Sequence, residues 1–418
     1  MNDKLETFSC DADTASITVS DAMARIMQIV EPKKECETIA LMSALGRVLA
    51  VDITSPADVP NHTNSAMDGY AFRGTDLPNS GEKQFRLVGT ALAGAPYRGS
   101  VKSGECVRIM TGAVMPDGTD SVVMQERVQA NFDEIVISTG EKHGSNVRYA
   151  GEDIRIGDVV VRKGTRIGAS QLGLLASLGL VEVQVFQKPR IGYFSTGDEL
   201  KAVGVPLQIG EVYDSNRYTL HAMLNNLGVE PFDLGVVRDD PDMIENVIEK
   251  AAHEVDLLIS TAGASVGDAD YIRDILNRLG QVAFWKVAVK PGRPLSFGKL
   301  DDSLFFGLPG NPVSVMVTFQ IFVKPAISKL TGEATFFEPK LWIKTVSDLR
   351  KRPGRMEYQR GILSIDSSGE TVVSSTGEQG SGILSSMNQA NCFIILPDDS
   401  VGAKAGDRVE VQPFPSGL

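Results

Sequence analysis

The stretch that decides the fold reads Leu257-Leu258-Ile259-Ser260-Thr261-Ala262-Gly263-Ala264-Ser265-Val266-Gly267-Asp268-Ala269-Asp270-Tyr271. It begins with a short apolar run typical of a buried strand and continues through a glycine-containing loop into the helical spacing of Ile272, Ile275, Leu276 and Leu279. A strand that runs through glycines into a helix directs several backbone N–H groups at one point, which is how α/β folds hold phosphates. The stretch therefore predicts an α/β domain with a phosphate-binding loop.

The chain on both sides of this stretch repeats the alternation of strand and helix from residue 189 to 332. Apolar runs predict strands at 191–194, 231–237, 257–260, 283–289 and 304–308. One intervening helix begins with Asp240 as N-cap and a proline at the first helical position, a long helix begins at Pro312, and Gly280 is a predicted helix terminator. This alternation predicts a mostly parallel sheet covered by helices on both faces.

The segments that flank the α/β series have a different character. Ser20 as N-cap predicts a first helix, whereas residues 55–147 keep no helical period and show short alternating runs that predict strands, at 85–88, 106–110, 121–124 and 134–137. Helical spacing returns after Ser170, so residues 55–147 are predicted to form a β-rich domain inserted into a discontinuous domain of residues 1–54 and 148–188. Residues 333–418 predict further strands and suit a small barrel or sandwich, with strands at 342–346, 361–365, 371–374, 393–396 and 408–411.

The composition excludes several classes of protein. A chain of 418 residues is expected to form several domains, and its formal net charge of -12 argues against a nucleic-acid or anionic-membrane surface. The four cysteines have no paired ligand spacing, so neither a disulfide framework nor a structural zinc site is indicated. The N-terminus does not resemble a secretory signal, and the longest apolar run, near 313–323, has about half the length that spans a bilayer. We therefore expect a cytoplasmic protein.

Charged residues follow the predicted strands, at the edge where ligands of open α/β sheets bind. The acids are Asp198, Glu199, Asp239, Asp240, Asp268 and Asp270. The glycine loops argue for phosphate, which these acids would repel, and a Mg²⁺ held by carboxylates and shared with a phosphate removes the contradiction. Lys290 and Arg293, in the sequence Lys290-Pro291-Gly292-Arg293-Pro294, would bind an anion that the metal does not hold.

The same acids have a structural interpretation as helix caps and first-turn residues that stabilise the helix dipole. We favour that interpretation for Asp240, and a functional one for Glu199, Asp239 and Asp270, because acids at three successive strand ends converge in the predicted sheet. Two loops of the inserted domain, 64–70 and 110–116, are each more typical of plain turns when taken alone. No Ser-His-Asp triad, Walker loop or histidine pair is apparent, so chemistry by a metal and by positioning is favoured.

Eight motifs, taken together, resemble those of a known family. They occupy residues 64–70, 110–116, 151–154, 195–200, 237–240, 265–271, 290–294 and 308–314, in the same order and over nearly the whole chain. The family is the molybdopterin molybdenumtransferases, MoeA, which are related to the C-terminal domain of gephyrin. The resemblance implies a multidomain α/β protein: a central MogA-like three-layer domain (189–332), an inserted β-rich domain (55–147), a discontinuous mixed linker domain (1–54 and 148–188) and a C-terminal β-barrel (333–418). It also implies an elongated homodimer with the active site in a cleft between subunits.

The resemblance further implies a Mg²⁺-dependent reaction in which adenylylated molybdopterin and molybdate give molybdenum cofactor and AMP. A molybdopterin adenylyltransferase would then be the upstream donor, with neither nucleic acid nor membrane as a partner.

The resemblance assigns roles to matched positions. Asp68, Thr111 and Asp153 would line the cleft and face the α/β domain of the other subunit. Glu199, Asp239 and Asp270 would hold Mg²⁺ or position the pyrophosphate. The remaining predicted site residues are Pro309 and Pro312 under the pterin, Gly263, Ser265 and Gly267 in the cofactor-binding loop, and Lys290, Arg293, Ser314, Arg360 and Ser381 on the molybdate side. Two departures are Arg148-Tyr149-Ala150, where relatives tend to be more basic, and Arg293, which is lysine in some members.

Two other functions stay open at this point. An adenylyltransferase that makes the adenylylated intermediate would share the α/β domain, but the predicted inserted and C-terminal β domains argue against it. A gephyrin-like scaffold without catalysis is the second, and the three convergent acids argue against that one.

Overall fold

The computed structural model describes residues 16–261, 270–301 and 303–414, without the side chains of residues 270–273 and 284. The predicted loop residues Gly263, Ser265 and Gly267 therefore lie outside the described residues.

The helices of the described chain are α1 (Val19–Ile29), α2 (Ala169–Ser177), α3 (Asn216–Asn226), α4 (Pro241–Ala252), α5 (Asp270–Leu279), α6 (Pro312–Thr318), α7 (Lys324–Leu330) and α8 (Leu384–Gln389), with a π-helical segment, Phe319–Val323, between α6 and α7. Short 3₁₀ turns lie at Leu41–Ser43, Gly74–Asp76 and Gln125–Arg127.

The strands up to the first helix of the α/β series are β1 (Cys36–Ala40), β2 (Ile53–Thr54), β3 (Asn64–Ser65), β4 (Gly69–Phe72), β5 (Glu82–Ala91), β6 (Glu105–Ile109), β7 (Ser121–Met124), β8 (Val128–Asn131), β9 (Glu134–Ser138), β10 (Val147–Arg148), β11 (Val159–Val161), β12 (Glu182–Phe186), β13 (Arg190–Thr196), β14 (Leu200–Lys201) and β15 (Val212–Tyr213). The later strands are β16 (Glu230–Val237), β17 (Leu257–Thr261), β18 (Gly280–Lys286), β19 (Val289–Lys290), β20 (Pro294–Leu300), β21 (Ser303–Leu308), β22 (Leu341–Thr345), β23 (Leu349–Arg350), β24 (Met356–Ile365), β25 (Thr371–Ser375), β26 (Cys392–Leu396), β27 (Gly402–Ala403) and β28 (Arg408–Pro413).

The described chain divides into two compact units. The first combines residues 16–50, 164–168 and 182–414, and the second combines residues 51–163 and 169–181. The four domain ranges predicted from the sequence stay predictions.

The first unit contains the predicted α/β sheet, with strand order β16-β13-β17-β21-β20-β18. β13 pairs in parallel with β16 and with β17, and β17 pairs in parallel with β21. The prediction of a mostly parallel sheet is confirmed. Because β20 runs antiparallel to both β21 and β18, the carboxyl end of β18 lies at the same edge as those of the parallel strands.

The structure differs from the predicted sheet in two details. The sequence did not predict β20, because Ser296 and Gly298 interrupt its apolar run, although most of the strand is buried. The predicted strand 283–289 is divided between β18 and β19. Gly280 directly follows the last residue of α5, as predicted for a helix terminator, and it also begins β18, where a Cβ would lie 2.2 Å from the Lys299 carbonyl oxygen across the pair.

Alternate residues along the strands pack on opposite faces of the sheet, which gives the predicted three layers. One face, including Tyr193 and Ile259, packs against α3, α6 and α7. The other face, including Phe194 and Leu258, packs against α4 and α5. The helical segment Pro312–Leu330 is long and apolar enough to cross a membrane by composition alone, but 83% of its apolar window is buried inside the protein, as expected of a core helix.

The observed N-cap agrees with the predicted one for α4 and differs from it for α1. Asp240 caps α4 as predicted, since its carboxylate accepts a hydrogen bond from the Met243 N–H at 3.0 Å. The N-cap of α1 is Thr18 and not Ser20, because the Thr18 hydroxyl oxygen accepts a hydrogen bond from the Asp21 N–H at 3.1 Å.

The rest of the first unit includes a closed β-barrel, as the resemblance implied. Its strands pair in the order β24-β25-β22-β28-β26, and β26 pairs back with β24 to close the barrel. Inward-facing apolar side chains fill it, among them Val373, Ile394 and Val411. β19 pairs in parallel with β24, which joins the α/β domain to the barrel.

The second unit is built on a six-stranded sheet of order β7-β4-β6-β5-β9-β8. Its helix content between residues 55 and 147 is limited to short 3₁₀ turns in the described structure, so the β-rich prediction is confirmed. The prediction that 64–70 forms only a loop was wrong at both ends, because Asn64 and Ser65 form the short strand β3 and Gly69 begins the buried strand β4. A Cβ at Gly69 would lie 2.0 Å from the Val123 carbonyl oxygen, so the close pairing of β4 with β7 requires glycine.

Candidate functional site

A cleft of ≈ 1120 Å³ opens in the first unit, at the carboxyl edge of the α/β sheet. Its wall comes from loops that follow β13, β19 and β21, from Thr261 at the end of β17, from the start of α3, and from barrel residues 355 and 378–381. Of the predicted site residues, those that line it are Glu199, Lys290, Arg293, Pro309, Pro312, Ser314 and Ser381. Residues far apart in the sequence are thus brought to one cavity.

The acidic side of the cleft follows from the order of the strands. β16, β13 and β17 are neighbours in the sheet, and Asp239, Glu199 and Asp270 follow their respective carboxyl ends. Glu199 lines the cleft, whereas Asp239 does not, and Asp270 begins α5 with its side chain outside the described atoms. Carboxylate oxygens are the donors that Mg²⁺ takes in proteins, usually one or two beside water and substrate oxygens. Among the described residues no group of three potential metal ligands occurs, so the full ligand set stays a prediction.

The basic side of the cleft is the loop between β19 and β20. The Lys290 ammonium lies 3.0 Å from a carboxylate oxygen of Glu357, a residue of β24 that is 4% exposed. Gly292 has φ +104°, and a Cβ there would lie 2.4 Å from the Thr318 side chain, so only glycine lets the loop pack against α6. Arg293 is exposed, and its guanidinium donates a 3.4 Å hydrogen bond to the Ser16 hydroxyl.

The loop that begins α6 is tied to the barrel. Pro312 is the first residue of the helix and Asn311 is the cap, although its side chain makes no capping hydrogen bond. The Val313 N–H donates a 3.1 Å hydrogen bond to the Ser381 carbonyl. Ser314 and Ser381 therefore lie on segments that the backbone holds together at the cleft.

Arg360 is placed beneath the cleft wall and does not line it. It is 1% exposed, and its guanidinium donates hydrogen bonds to the Gly380 carbonyl at 3.1 Å and to the Ser386 hydroxyl at 3.0 Å. Burial lowers the pKa of this guanidinium to about 10, while the nearby Glu357 carboxylate acts in the opposite direction. The structure thus gives Arg360 the role of supporting the barrel loop that carries Ser381.

Sequence reasoning missed two buried polar residues in the cleft wall. Asp214 is 2% exposed and accepts a 3.1 Å hydrogen bond from the Ser195 hydroxyl, and Asn216 is 8% exposed and donates a 2.7 Å hydrogen bond to the Gly310 carbonyl. Asp214 Oδ2 and Asn216 Oδ1 have no hydrogen-bond partner within the described structure, although Oδ2 lies 3.4 Å from the Arg217 guanidinium. The run Asp214-Ser215-Asn216 before an apolar stripe was a recognisable helix start, but nothing in it indicated burial beside Gly310.

In the second unit, the structure brings Asp68 and Thr111 together. One carboxylate oxygen of Asp68 accepts hydrogen bonds from the Thr111 N–H and from the Thr111 hydroxyl, both at 2.7 Å. The backbone N–H of Thr111 is the main reason that the pKa of Asp68 lies below its usual value. Asp153 is exposed, and its N–H donates a 3.1 Å hydrogen bond to the Val59 carbonyl. The hydrogen bonds between Thr111 and Asp68 therefore hold the predicted loops 64–70 and 110–116 together.

Comparison with known proteins covers nearly the whole chain. Three family models match it: the MoeA N-terminal region (domains I and II) at residues 17–179, a probable molybdopterin-binding domain at 192–329, and the MoeA C-terminal region (domain IV) at 343–414.

Two relatives, both named molybdopterin molybdenumtransferase, resemble the chain over almost all of their length. The protein from Haemophilus influenzae is 42% identical over 400 residues, which cover 95% of this chain and 98% of the relative. The protein from Nostoc is 35% identical over 411 residues, which cover 96% and 93%. The crystal structure of the molybdopterin biosynthesis MoeA protein from Pyrococcus horikoshii superimposes with a TM-score of 0.85 at 29% identity, covering 96% of this chain and 100% of that one.

Proposed function

Because this chain belongs to the MoeA family of molybdopterin molybdenumtransferases, we propose that it inserts molybdate into adenylylated molybdopterin, with Mg²⁺-dependent release of AMP. The observation that carries the proposal is the single cleft with an acid, Glu199, at one strand end and the cations Lys290 and Arg293 on the loop before β20. Two anions of different kind can bind such a cleft at the same time, one through a metal and one directly.

The acidic side would bind the adenylate part of the substrate. Glu199, with Asp239 and Asp270 from the neighbouring strand ends, would hold Mg²⁺, and Pro309 and Pro312 would shape the loop under the pterin. When bound, Mg²⁺ supplies positive charge to the phosphates of the anhydride that is cleaved. Asn216 fixes the Pro309–Pro312 segment through its hydrogen bond to the Gly310 carbonyl.

The basic side would hold molybdate near the two dithiolene sulfurs of molybdopterin. Lys290 and Arg293 would supply the positive charge, and the hydroxyls of Ser314 and Ser381 would donate hydrogen bonds. The ion pair with Glu357 orients Lys290, and Arg360 holds the Gly380 carbonyl beside Ser381. In this proposal anhydride cleavage drives insertion only when both ligands are bound.

The second unit enters the proposal through a homodimer. Asp68, Thr111 and Asp153 would complete the cleft of a second copy, as the family resemblance implies. A cytoplasmic location and an adenylyltransferase as upstream donor belong to the same proposal.

The alternatives account for less of the chain. An adenylyltransferase needs the α/β domain, but the matched MoeA regions at 17–179 and 343–414 lie outside it. A scaffold has no need for acids at three neighbouring strand ends.

The test is incubation of the purified protein with adenylylated molybdopterin, molybdate and Mg²⁺, with AMP followed over time. We expect molybdate to stimulate AMP release. Chelation of Mg²⁺ should abolish the release without changing the circular dichroism spectrum, and the Asp270→Ala variant should release no AMP. AMP release that does not depend on molybdate would refute the proposal, and so would full AMP release by the Asp270→Ala variant. Unfolding on chelation would show that the metal is structural.

A further inference from the structure

A second, smaller cavity of ≈ 370 Å³ lies where the barrel meets the Lys290 loop. We call it the basic cavity, and its lining residues are Lys290, Arg350, Lys351, Arg352, Arg355 and Glu357. Five cations thus face one acid, in a chain whose formal net charge is -12. A local excess of positive charge in an acidic protein is expected to attract anions.

The loop that carries the cations is held firmly on the barrel. Lys351 is 8% exposed, and its ammonium donates hydrogen bonds to three backbone carbonyls: those of Asp398 and Ser400 at 3.0 Å and that of Arg352 at 3.3 Å. Burial lowers the pKa of Lys351, while Asp398 and Asp399 on the neighbouring turn act in the opposite direction. The Gly354 N–H also donates to the Asp398 carbonyl at 2.7 Å. Lys351 is therefore a buried support for the loop, which presents the arginines on either side of it.

Arg352 and Arg355 have no ion-pair partner in the described part of the chain, and Arg350 is attracted by Asp348 without forming an ion pair with it. Across the described residues, no ion pair or side-chain hydrogen bond engages the guanidinium groups of Arg350, Arg352 or Arg355. The one acid of the cavity, Glu357, is already occupied, because it pairs with Lys290 at 3.0 Å and accepts a 3.1 Å hydrogen bond from Gln359. Like charges that line one small cavity repel one another, and a bound anion would relieve that repulsion.

The basic cavity adjoins the cleft. Lys290 and Arg355 line both of them, and both lie within the first unit. An anion in the basic cavity can therefore reach the basic side of the cleft along cationic groups.

We propose that the basic cavity is a capture site for the free tetrahedral oxyanion, here molybdate, which it concentrates and passes to the cleft by way of Arg355 and Lys290. The inference rests on the proposed function. Three planar guanidinium groups suit a tetrahedral dianion, since each can donate two parallel hydrogen bonds to it. The phosphate of the pterin substrate is also a tetrahedral oxyanion, and the experiment distinguishes binding of that phosphate from binding of free molybdate.

The test uses the full chain with Arg350→Gln and Arg352→Gln combined, together with each single variant, because these two arginines line the basic cavity and not the cleft. Equilibrium dialysis with molybdate alone should show binding weakened on the order of tenfold in the double variant. In the AMP-release assay, KM for molybdate should rise by a similar factor and depend less on salt, while kcat and the KM for adenylylated molybdopterin stay within about twofold of the wild type.

Lys299→Gln is the matched control, because Lys299 is exposed near the end of β20 at the opposite edge of the sheet and loses the same charge. It should change none of these constants. Unchanged molybdate binding in every arginine variant would overturn the inference, and so would a rise in KM for the pterin substrate with that for molybdate unchanged. A wild type that binds molybdate in dialysis but releases no AMP would refute the proposed function and leave the capture site standing.

Discussion

At the scale of single residues, the contacts of Asp68 define a test of the second unit. Thr111 donates two hydrogen bonds to its carboxylate and thereby lowers the pKa. Because the folded-state pKa is depressed, the stability linked to Asp68 is present above the ordinary carboxyl pKa and is lost as pH falls through the lower, folded value.

We expect Thr111→Val to raise the pKa of Asp68 toward its ordinary value, since the hydroxyl donor is removed while the backbone donor stays. Carbon-detected NMR titration of the carboxyl group measures it. Thr119→Val is the control, because the Thr119 hydroxyl donates to the Pro116 carbonyl and touches no carboxylate. An unchanged Asp68 titration in Thr111→Val would contradict the hydrogen bond.

The cysteines give a second prediction at this scale. Burial raises the pKa of the Cys106 and Cys392 thiols to about 12, whereas Cys36 is exposed. Iodoacetamide at pH 8 should therefore alkylate Cys36 in the native protein and leave Cys106 and Cys392 unmodified until the protein is denatured. Peptide mass spectrometry reads the sites, and rapid native labelling of Cys106 would contradict its burial.

At the scale of elements, the sheet of the second unit depends on one glycine. Gly69→Ala would place a Cβ against the Val123 carbonyl, so β4 and β7 must separate, and we expect a loss of about 1–3 kcal/mol in the free energy of unfolding. Gly173→Ala in α2 is the matched control, because open space surrounds that position and alanine favours the helix by about 0.5–1 kcal/mol. Chemical denaturation measures both, and equal effects would contradict this packing.

The elements also show how much of the secondary structure could be predicted from the sequence. The cap of α4 and the strands β7, β16 and β17 could be predicted closely, because local spacing and capping chemistry determine them. β20 could not, since its burial comes from neighbours across the sheet and not from its own apolar pattern. Gly280 was predicted to end a helix, and α5 does end at Leu279, but the close pairing with β20 that also requires glycine there could not be predicted from local sequence.

The residues of the candidate site also divide into those that local sequence predicts and those that depend on long-range contacts. Glu199, Lys290 and Ser314 were predicted to share a site, and the structure places them in one cleft. Asp214, Asn216 and the basic cavity were not predicted, because their positions depend on long-range contacts with Gly310 and with the 398–400 turn. Arg360 was predicted for the molybdate side, but local sequence gives no sign that it is buried under Gly380.

At the scale of the whole molecule, the proposed homodimer makes a prediction about mixtures. If Asp68 completes the cleft of a second copy, Asp68→Asn and Glu199→Gln homodimers should both be nearly inactive. Subunit exchange between them should restore activity to at most about a quarter of the wild type, because half of the chains form mixed dimers and each of these has one intact cleft. AMP release before and after exchange measures this, and no recovery despite verified exchange would contradict a shared cleft.

The central claim is that one cleft binds a metal on its acidic side and an oxyanion on its basic side. The most direct measurement is AMP release by Glu199→Gln and Lys290→Gln as Mg²⁺ and molybdate are varied in turn. The account predicts crossed effects: Glu199→Gln needs more Mg²⁺ at an unchanged KM for molybdate, and Lys290→Gln raises the KM for molybdate at an unchanged Mg²⁺ requirement. Variants that shift both dependences equally, or neither, would contradict it.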